Sequence, residues 1–303
     1  MVSSTVNEIV KLKKQRNAII LAHNYQIGEV QEIADFTGDS LELSRIASEI
    51  KCDVIVFCGV HFMAETAAIL NPDKTVLLPE IEAGCPMADE VDVEKLKEWI
   101  KKNPDAAVVS YVNTTAEVKA LSYACCTSAN APQVVKAVPY DSVIFVPDKN
   151  LADWVKRNVY EKKIIPWEGF CPVHNMLKKE DVIRAKKSHP EALFVAHPEC
   201  PAEVIDLADH VASTSGMVKF AKSNPAKDFI IGTEVGLLYR LKKENPDKNF
   251  YPLKKDTICS SMKITTLKSI LTALKENKYI IKVPEEIRLK AKKAVDRMLY
   301  LVS

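Results

Sequence analysis

The sequence predicts an α/β protein built from three similar small three-layer αβα units, with parallel sheets set about a pseudo-threefold axis and the active site at its centre. Three observations carry this expectation. Three stretches of chain repeat one order of apolar strand, polar turn and helix. Matching residue types recur at fixed offsets from the end of each leading strand, and one cysteine recurs near the close of each unit.

The three stretches are NAIILAHNYQIGEVQEIADFTGDS from Asn17, DAAVVSYVNTTAEVKALSYACCTS from Asp105 and EALFVAHPECPAEVIDLADHVAST from Glu191. Their leading strands end at His23, Tyr111 and His197. Six residues on stand Glu29, Glu117 and Glu203, each followed by valine, and seventeen on stand the hydroxyls of Ser40, Ser128 and Thr214. A second apolar strand then ends at Cys58-Gly59, Val146-Pro147 and Ile231-Gly232, and a helix and a third strand lead to Cys85, Cys171 and Cys259. The cysteine offsets are 85 − 23 = 62, 171 − 111 = 60 and 259 − 197 = 62.

Each unit therefore reads strand, helix, strand, helix, strand, with turns such as Asn71-Pro72-Asp73 and Asn245-Pro246-Asp247 entering strands. Strands alternating with helices imply parallel sheets covered on both faces. The expected boundaries are 1–86, 87–172 and 173–260 for the units and 261–303 for a C-terminal tail. In the tail, KITTLKSILTALKENK and EEIRLKAKKAVDRMLYLV have helical apolar spacing around a strand-like YIIKVP, and we expect it to pack back on the first unit. Ligands of parallel sheets bind beyond the strand C-termini, which is where His23, Tyr111 and His197 fall.

Composition excludes several classes. Lys plus Arg number 42 against 40 Asp plus Glu, and these charges are interspersed, so neither a nucleic-acid footprint nor a polybasic membrane surface is present. No apolar run approaches the roughly 20 residues of a membrane span, and the first residues lack a signal-peptide core. A cytoplasmic location is expected, where the eight cysteines would be reduced thiols rather than a disulfide frame.

Among those eight, Cys85, Cys171 and Cys259 are equivalent and would converge under threefold symmetry. Three soft ligands suit an iron-sulfur cluster or zinc, and a cubane on three cysteines keeps one iron open to substrate. Cys52, Cys58, Cys125 and Cys126 have no counterparts and read as core. Cys200, three after His197, is the competing fourth ligand.

The polar pairs His23/Tyr25, Tyr111/Asn113 and His197/Glu199 are two apart on extended chain, so both members of each can face one cavity and exchange protons there. Ser40, Ser128 and Thr214 precede helical stretches. They can cap them, or with the helix N-termini hold a small molecule carrying carboxylates or phosphate. No glycine-rich phosphate loop points to a nucleotide. His174, in CPVH, and Lys263, near Cys259, are further candidates, the first for substrate or metal-site contact and the second as a cation for a substrate anion.

In combination these motifs resemble the quinolinate synthase family, the A protein of de novo NAD biosynthesis. The likeness runs from LAHNYQ at Leu21 through GDSLELSR, YVNTTAE, TSANA, GFCPVH, HPEC, AST and GTEVG to the cysteine at 259. The resemblance implies a transferase that condenses iminosuccinate with dihydroxyacetone phosphate to quinolinate, releasing phosphate and water. It implies one 4Fe-4S cluster per chain on Cys85, Cys171 and Cys259, with one open iron as Lewis acid. It implies a substrate ring of His23, Ser40, Tyr111, Asn113, Ser128, His197, Glu199 and Thr214, with Tyr25, His23 and Glu199 as acid/base groups. An aspartate oxidase or dehydrogenase would supply the iminosuccinate. Ser215 departs from the glycine usual after the threonine, and the pair Ser260-Ser261 after the third cysteine is unusually polar. Against this stand an iron-sulfur hydro-lyase for another polycarboxylate, a cluster-based sensor, and a zinc site of the three cysteines with Cys200 or His174.

Overall fold

In the computed structural model, residues 2–301 are described. The first unit runs α1 (Val2–Gln15), β1 (Ala18–His23), α2 (Gly28–Ile33), β2 (Phe36–Gly38), α3 (Ser40–Glu49), β3 (Val54–Cys58), α4 (His61–Leu70), β4 (Thr75–Leu77) and α5 (Pro86–Asp89). The second runs α6 (Val93–Lys102), β5 (Ala106–Tyr111), α7 (Ala116–Ala120), β6 (Ala124–Cys126), α8 (Ala131–Ala137), β7 (Ser142–Val146), α9 (Lys149–Asn158), β8 (Lys163–Pro166) and α10 (Pro172–Asn175). The third runs α11 (Lys179–Ser188), β9 (Leu193–Ala196), α12 (Ala202–Ile205), β10 (His210–Val211), α13 (Thr214–Ser223), β11 (Asp228–Gly232), α14 (Leu237–Glu244), β12 (Asn249–Pro252) and α15 (Ser260–Lys263). Two helices follow, α16 (Leu267–Glu276) and α17 (Glu285–Tyr300).

The three sheets are separate, four-stranded and parallel, and share one strand order: β2-β1-β3-β4, β6-β5-β7-β8 and β10-β9-β11-β12. The sequence reading had three strands per unit. The additional one, β2, β6 or β10, pairs at the edge over only two or three residues, too few for an alternating pattern to register.

Strand periodicity explains how the sheets share an interior. Leu21 in β1, Ile55 and Phe57 in β3, Val109 in β5, Phe145 in β7 and Val195 in β9 all belong to one large buried cluster. Their neighbours one residue away point to the opposite faces and form three smaller clusters. Ile20 and Val56 pack beneath α1 and α16, Val108 and Ile144 pack in the second unit, and Phe194 and Ile230 pack in the third. Successive side chains on a strand alternate faces, so the parity of Leu21, Val109 and Val195 continues into Tyr25, Tyr111 and the residues at the strand ends. The inward face of each sheet thus leads to its own His or Tyr.

The tail returns to the first unit. Tyr279 exchanges main-chain hydrogen bonds with Leu78, and Ile281 donates to Val76, so the YIIKVP segment runs along the edge beyond β4. The helix α16 packs on α1 and β3, whereas α17 lies against α7 and β6 of the second unit as well as α4 of the first. Its small residues Ala291 and Ala294 permit this close approach to two units at once. Among the described residues no helix is long and apolar enough to cross a membrane.

Candidate active site

One cavity opens beyond the C-terminal ends of the leading strands. Its volume, about 80 Å³ as space open to the centre of a water molecule, admits a small metabolite and excludes a macromolecule. His23, Tyr25 and Ser40 line it from the first unit, Tyr111, Asn113 and Ser128 from the second, and His197, Glu199 and Thr214 from the third. Cys85, Cys171 and Cys259 line it too, with His174. Of the residues expected to bind substrate, Lys263 alone is missing from its walls. Its ammonium is engaged by Glu234, 2.8 Å away, and by the carbonyl of Tyr25, so it meets the site through the Tyr25 backbone rather than as a free cation.

The hydroxyl ring is freed from capping by the residue that precedes it. Asp39 caps α3 by accepting from the N–H groups of Leu41 and Glu42, and Ser213 caps α13 by accepting from Gly216. Ser40 and Thr214 therefore occupy the first helical position instead of the cap position read from sequence. Ser128 sits further out, in the turn before α8, where Thr127 and Asn130 bond each other. Thr214, in the third unit, accepts from Asn24 of the first at 2.8 Å. The polar rim of the cavity is thus tied across units.

At the heart of the site, Glu199 Oε2 lies 2.9 Å from His174 Nδ1 and 3.2 Å from His197 Nδ1. Burial opposes ionisation of Glu199, but the two imidazoles outweigh it and hold the carboxyl below the usual range. The rings of His174 and His197 stack with centroids 4.6 Å apart. Burial, reinforced by His197, pushes His23 down to about 3. Its Nδ1 accepts from the main-chain N–H of Tyr25 at 3.2 Å, a bond that requires that nitrogen to be unprotonated. Burial and the charge of Glu199 push the phenols of Tyr25 and Tyr111 up, so both remain proton donors. Two buried acceptors on the wall, Asn113 Oδ1 and Glu199 Oε1, have no partner and suit ligand N–H or O–H groups.

The cysteine set fits a metal cluster. Each cysteine is the N-cap of a four-residue helix, Cys85 before α5, Cys171 before α10 and Cys259 before α15. The N–H groups of Ala88 and Met262 close the first turn on the carbonyls of Cys85 and Cys259, and His174 Nδ1 lies 3.2 Å from Cys171 Sγ. A cysteine at a helix N-terminus is favoured as the thiolate, the form that ligates a metal. Burial alone would push the Cys85 thiol up to about 12, so three thiolates at this place call for a cationic partner. Among the described residues, Cys171, His174 and Glu199 form a group whose ligand atoms lie within 4.8 Å of one another, whereas the three cysteines do not. Thiolates on one zinc ion would be closer than that, with Zn–S near ~2.3 Å, so their wider spacing favours a larger, multinuclear group. Cys200 is buried with its thiol on the carbonyl of Gly232, away from the cavity, and Cys52, Cys58, Cys125 and Cys126 are core residues.

The sequence reading missed Thr233, whose hydroxyl contacts both Tyr25 and His174, and the buried carboxylates Asp148 and Glu234 behind two of the cysteines. Thr233 gave no repeat signal, because the equivalent positions hold Gly59 and Pro147. Asp148 and Glu234 did give one: 148 − 111 = 37 and 234 − 197 = 37.

Comparison with known proteins agrees with this geometry. The family model described as quinolinate synthetase A protein matches residues 7–300. The chain is 78% identical over 303 residues to the quinolinate synthase of Thermodesulfovibrio yellowstonii, covering 100% of both chains. It is 56% identical over 294 residues to quinolinate synthase 1 of Methanosarcina acetivorans, covering 97% of this chain and 96% of the relative. With the quinolinate synthase of Caldicellulosiruptor saccharolyticus the figure is 57% over 297 residues, covering 97% of each.

Proposed function

The chain belongs to the quinolinate synthetase A family of enzymes, and from that membership we propose that it condenses iminosuccinate with dihydroxyacetone phosphate to quinolinate, releasing phosphate and water, in NAD biosynthesis. The observation that carries this reading is the convergence of three equivalent sets of proton-transferring and anion-binding groups, and three equivalent cysteines, on one small cavity. The units 1–86, 87–172 and 173–260 would be related by a pseudo-threefold axis through that cavity, with 261–303 as the tail.

Cys85, Cys171 and Cys259 would hold one 4Fe-4S cluster. When bound, it supplies a Lewis-acidic iron open to a substrate oxygen. The remaining chemistry falls to the chain's own side chains. Ser40, Ser128 and Thr214 would grip the carboxylates of iminosuccinate, with the N-termini of α3 and α13 behind two of them. Neutral His23 can donate from Nε2 while Nδ1 stays on the Tyr25 amide. Tyr25 and Tyr111 keep their phenolic protons and can deliver them to a departing or carbonyl oxygen. Glu199, ionised and held by two histidines, offers Oε1 to the N–H or O–H of the substrate and can remove a proton from it. His197 and Asn113 would complete the ring that orients the carbon chain for bond formation. The enzyme would work in the cytoplasm beside an aspartate oxidase or dehydrogenase that supplies iminosuccinate, with no nucleic acid or membrane engaged.

The test is an anaerobic assay of reconstituted protein with iminosuccinate generated in place and dihydroxyacetone phosphate added, quantifying quinolinate for wild type and Cys171→Ser. Product from wild type alone supports the reaction and the ligand together. No product from cluster-loaded wild type would overturn the reaction in favour of a polycarboxylate hydro-lyase. The close group of Cys171, His174 and Glu199 favours a single metal ion as the competing occupant. Metal analysis separates the two, because zinc without acid-labile sulfide would reject the cluster.

A further inference from the structure

The three cysteine loops are tied to their sheets by one repeated main-chain hydrogen bond. His61 N donates to Ala83 O at 2.8 Å, Lys149 N to Gly169 O at 2.8 Å and Val235 N to Thr257 O at 3.0 Å. In every unit the acceptor lies two residues before the cysteine: 85 − 83 = 2, 171 − 169 = 2 and 259 − 257 = 2. The donor follows position 37 of its unit, which is Asp148 in the second, Glu234 in the third and Val60 in the first, where 60 − 23 = 37.

That position differs in chemistry. Asp148 is fully buried; one of its oxygens accepts from Leu151 N at 2.7 Å, capping α9, and the other accepts from Cys171 N at 3.1 Å. Glu234 is also fully buried; Oε1 accepts from Cys259 N at 3.2 Å and Oε2 from Gly236 N at 2.7 Å, with Lys263 beside both oxygens. Neither carboxylate lines the cavity, so neither meets the substrate, whereas Val60 does line it and gives the first cysteine no equivalent anchor.

We propose that Asp148 and Glu234 are positioning residues for the metal cluster: each fixes the main chain of one cysteine ligand to its sheet, while the Cys85 loop is held by its main-chain tie alone. The inference rests on the three cysteines being the cluster ligands. Outer partners of this kind orient ligand-bearing chain, and removing one weakens metal retention by on the order of 10- to 100-fold.

The experiment uses Asp148→Ser and Glu234→Gln in the reconstituted full chain. Serine keeps the cap on α9 and deletes the oxygen facing Cys171. Both oxygens of Glu234 face N–H donors, so an amide must turn its own NH2 towards one of them. Iron and sulfide per chain are measured, and loss of cluster absorbance is followed under an iron chelator, without any assay of activity. Release at least about tenfold faster than wild type in each variant is expected. Ile144→Val, which loosens the second unit on the sheet face opposite the one that packs against the cysteines, serves as the control and is expected to release iron at the wild-type rate. If Asp148→Ser does not fold, Asp148→Asn retains the size and one cap oxygen and is read instead. Wild-type release rates in both variants, or equal acceleration in Ile144→Val, would overturn the positioning role. A wild type that takes up no iron and sulfide, or a Cys171→Ser variant that retains the full cluster, would instead overturn the assignment of the ligands.

Discussion

Tyr25 and His174 share a single partner: Thr233 Oγ1 lies 2.5 Å from the Tyr25 hydroxyl and 2.8 Å from His174 Nε2. Glu199 Oε2 faces Nδ1 of the same His174 ring at 2.9 Å, and the Tyr25 hydroxyl itself lies 3.3 Å from Nε2. One threonine thus ties the Tyr25 hydroxyl to the His174 ring at the cavity.

Thr233→Val keeps the shape of this side chain and breaks both bonds. We expect kcat to fall about tenfold, the value of one well-placed buried hydrogen bond, with KM changed less than about twofold. Thr233→Ser should restore most of the rate. Steady-state kinetics of the three proteins checks this, and an unaltered kcat in the valine variant would remove Thr233 from the positioning of Tyr25.

The acid limb of stability should carry the signature of His23. Burial and His197 push its folded value down to about 3, while in the unfolded chain a histidine titrates near 6.5. Above that value neither state is protonated and His23 makes no pH-dependent contribution. Below it the unfolded chain takes up a proton that the folded site refuses, so stability falls as pH falls, by about 1.4 kcal/mol per unit, until the pH approaches the folded value. Denaturant unfolding of wild type and His23→Gln at pH 7.5 and pH 5 should give a difference that is constant above neutrality and shifts towards the variant in acid. Taking the difference cancels the carboxylates common to both proteins.

Ser215 bonds the first and third units together. Its hydroxyl donates to Glu42 Oε2 at 2.5 Å and accepts from the main-chain N–H of Asp39 at 3.1 Å. Burial of Glu42 is offset by Ser215, then Arg240 and Lys219, which together hold its carboxyl below the usual range. Ser215→Gly should cost about 2 kcal/mol, chiefly the bond to the charged carboxylate. Chemical denaturation measures the loss, and Ser215→Ala should show most of it, since alanine restores the helix propensity but not the bond.

These residues also show how far the sequence could be read. Tyr111, His197 and the three cysteines were legible because their chemistry repeats at fixed offsets, and a repeated offset survives any uncertainty about element boundaries. Asp148 and Glu234 obey the same arithmetic, but Val60 breaks the triplet, and a pattern of two among three units does not announce itself. Thr233 has no counterpart at all. Lys263 was read as a free cation because its neutraliser, Glu234, lies 29 residues away in sequence and meets it only in the fold. The caps of α3 and α13 were displaced by one residue, from Ser40 and Thr214 to Asp39 and Ser213, because adjacent polar residues compete for the same N–H groups and only backbone geometry decides between them.

Asn113 provides a trade between stability and function. Its Oδ1 is buried against the cavity without a hydrogen-bond partner, as is Oε1 of Glu199 across the same space. An unpaired buried acceptor costs the folded protein on the order of 1–3 kcal/mol, a cost recovered when a ligand donor reaches it. Asn113→Leu replaces the amide with an apolar group of similar size, so the ligand-free protein should melt at the same temperature as wild type or higher. The KM for iminosuccinate should rise by about tenfold or more, since a substrate donor buried against leucine loses its partner. Thermal melting of the ligand-free protein and initial-rate kinetics together decide the matter: a lower melting temperature would make Asn113 a structural residue, and an unchanged KM would take it out of the substrate ring.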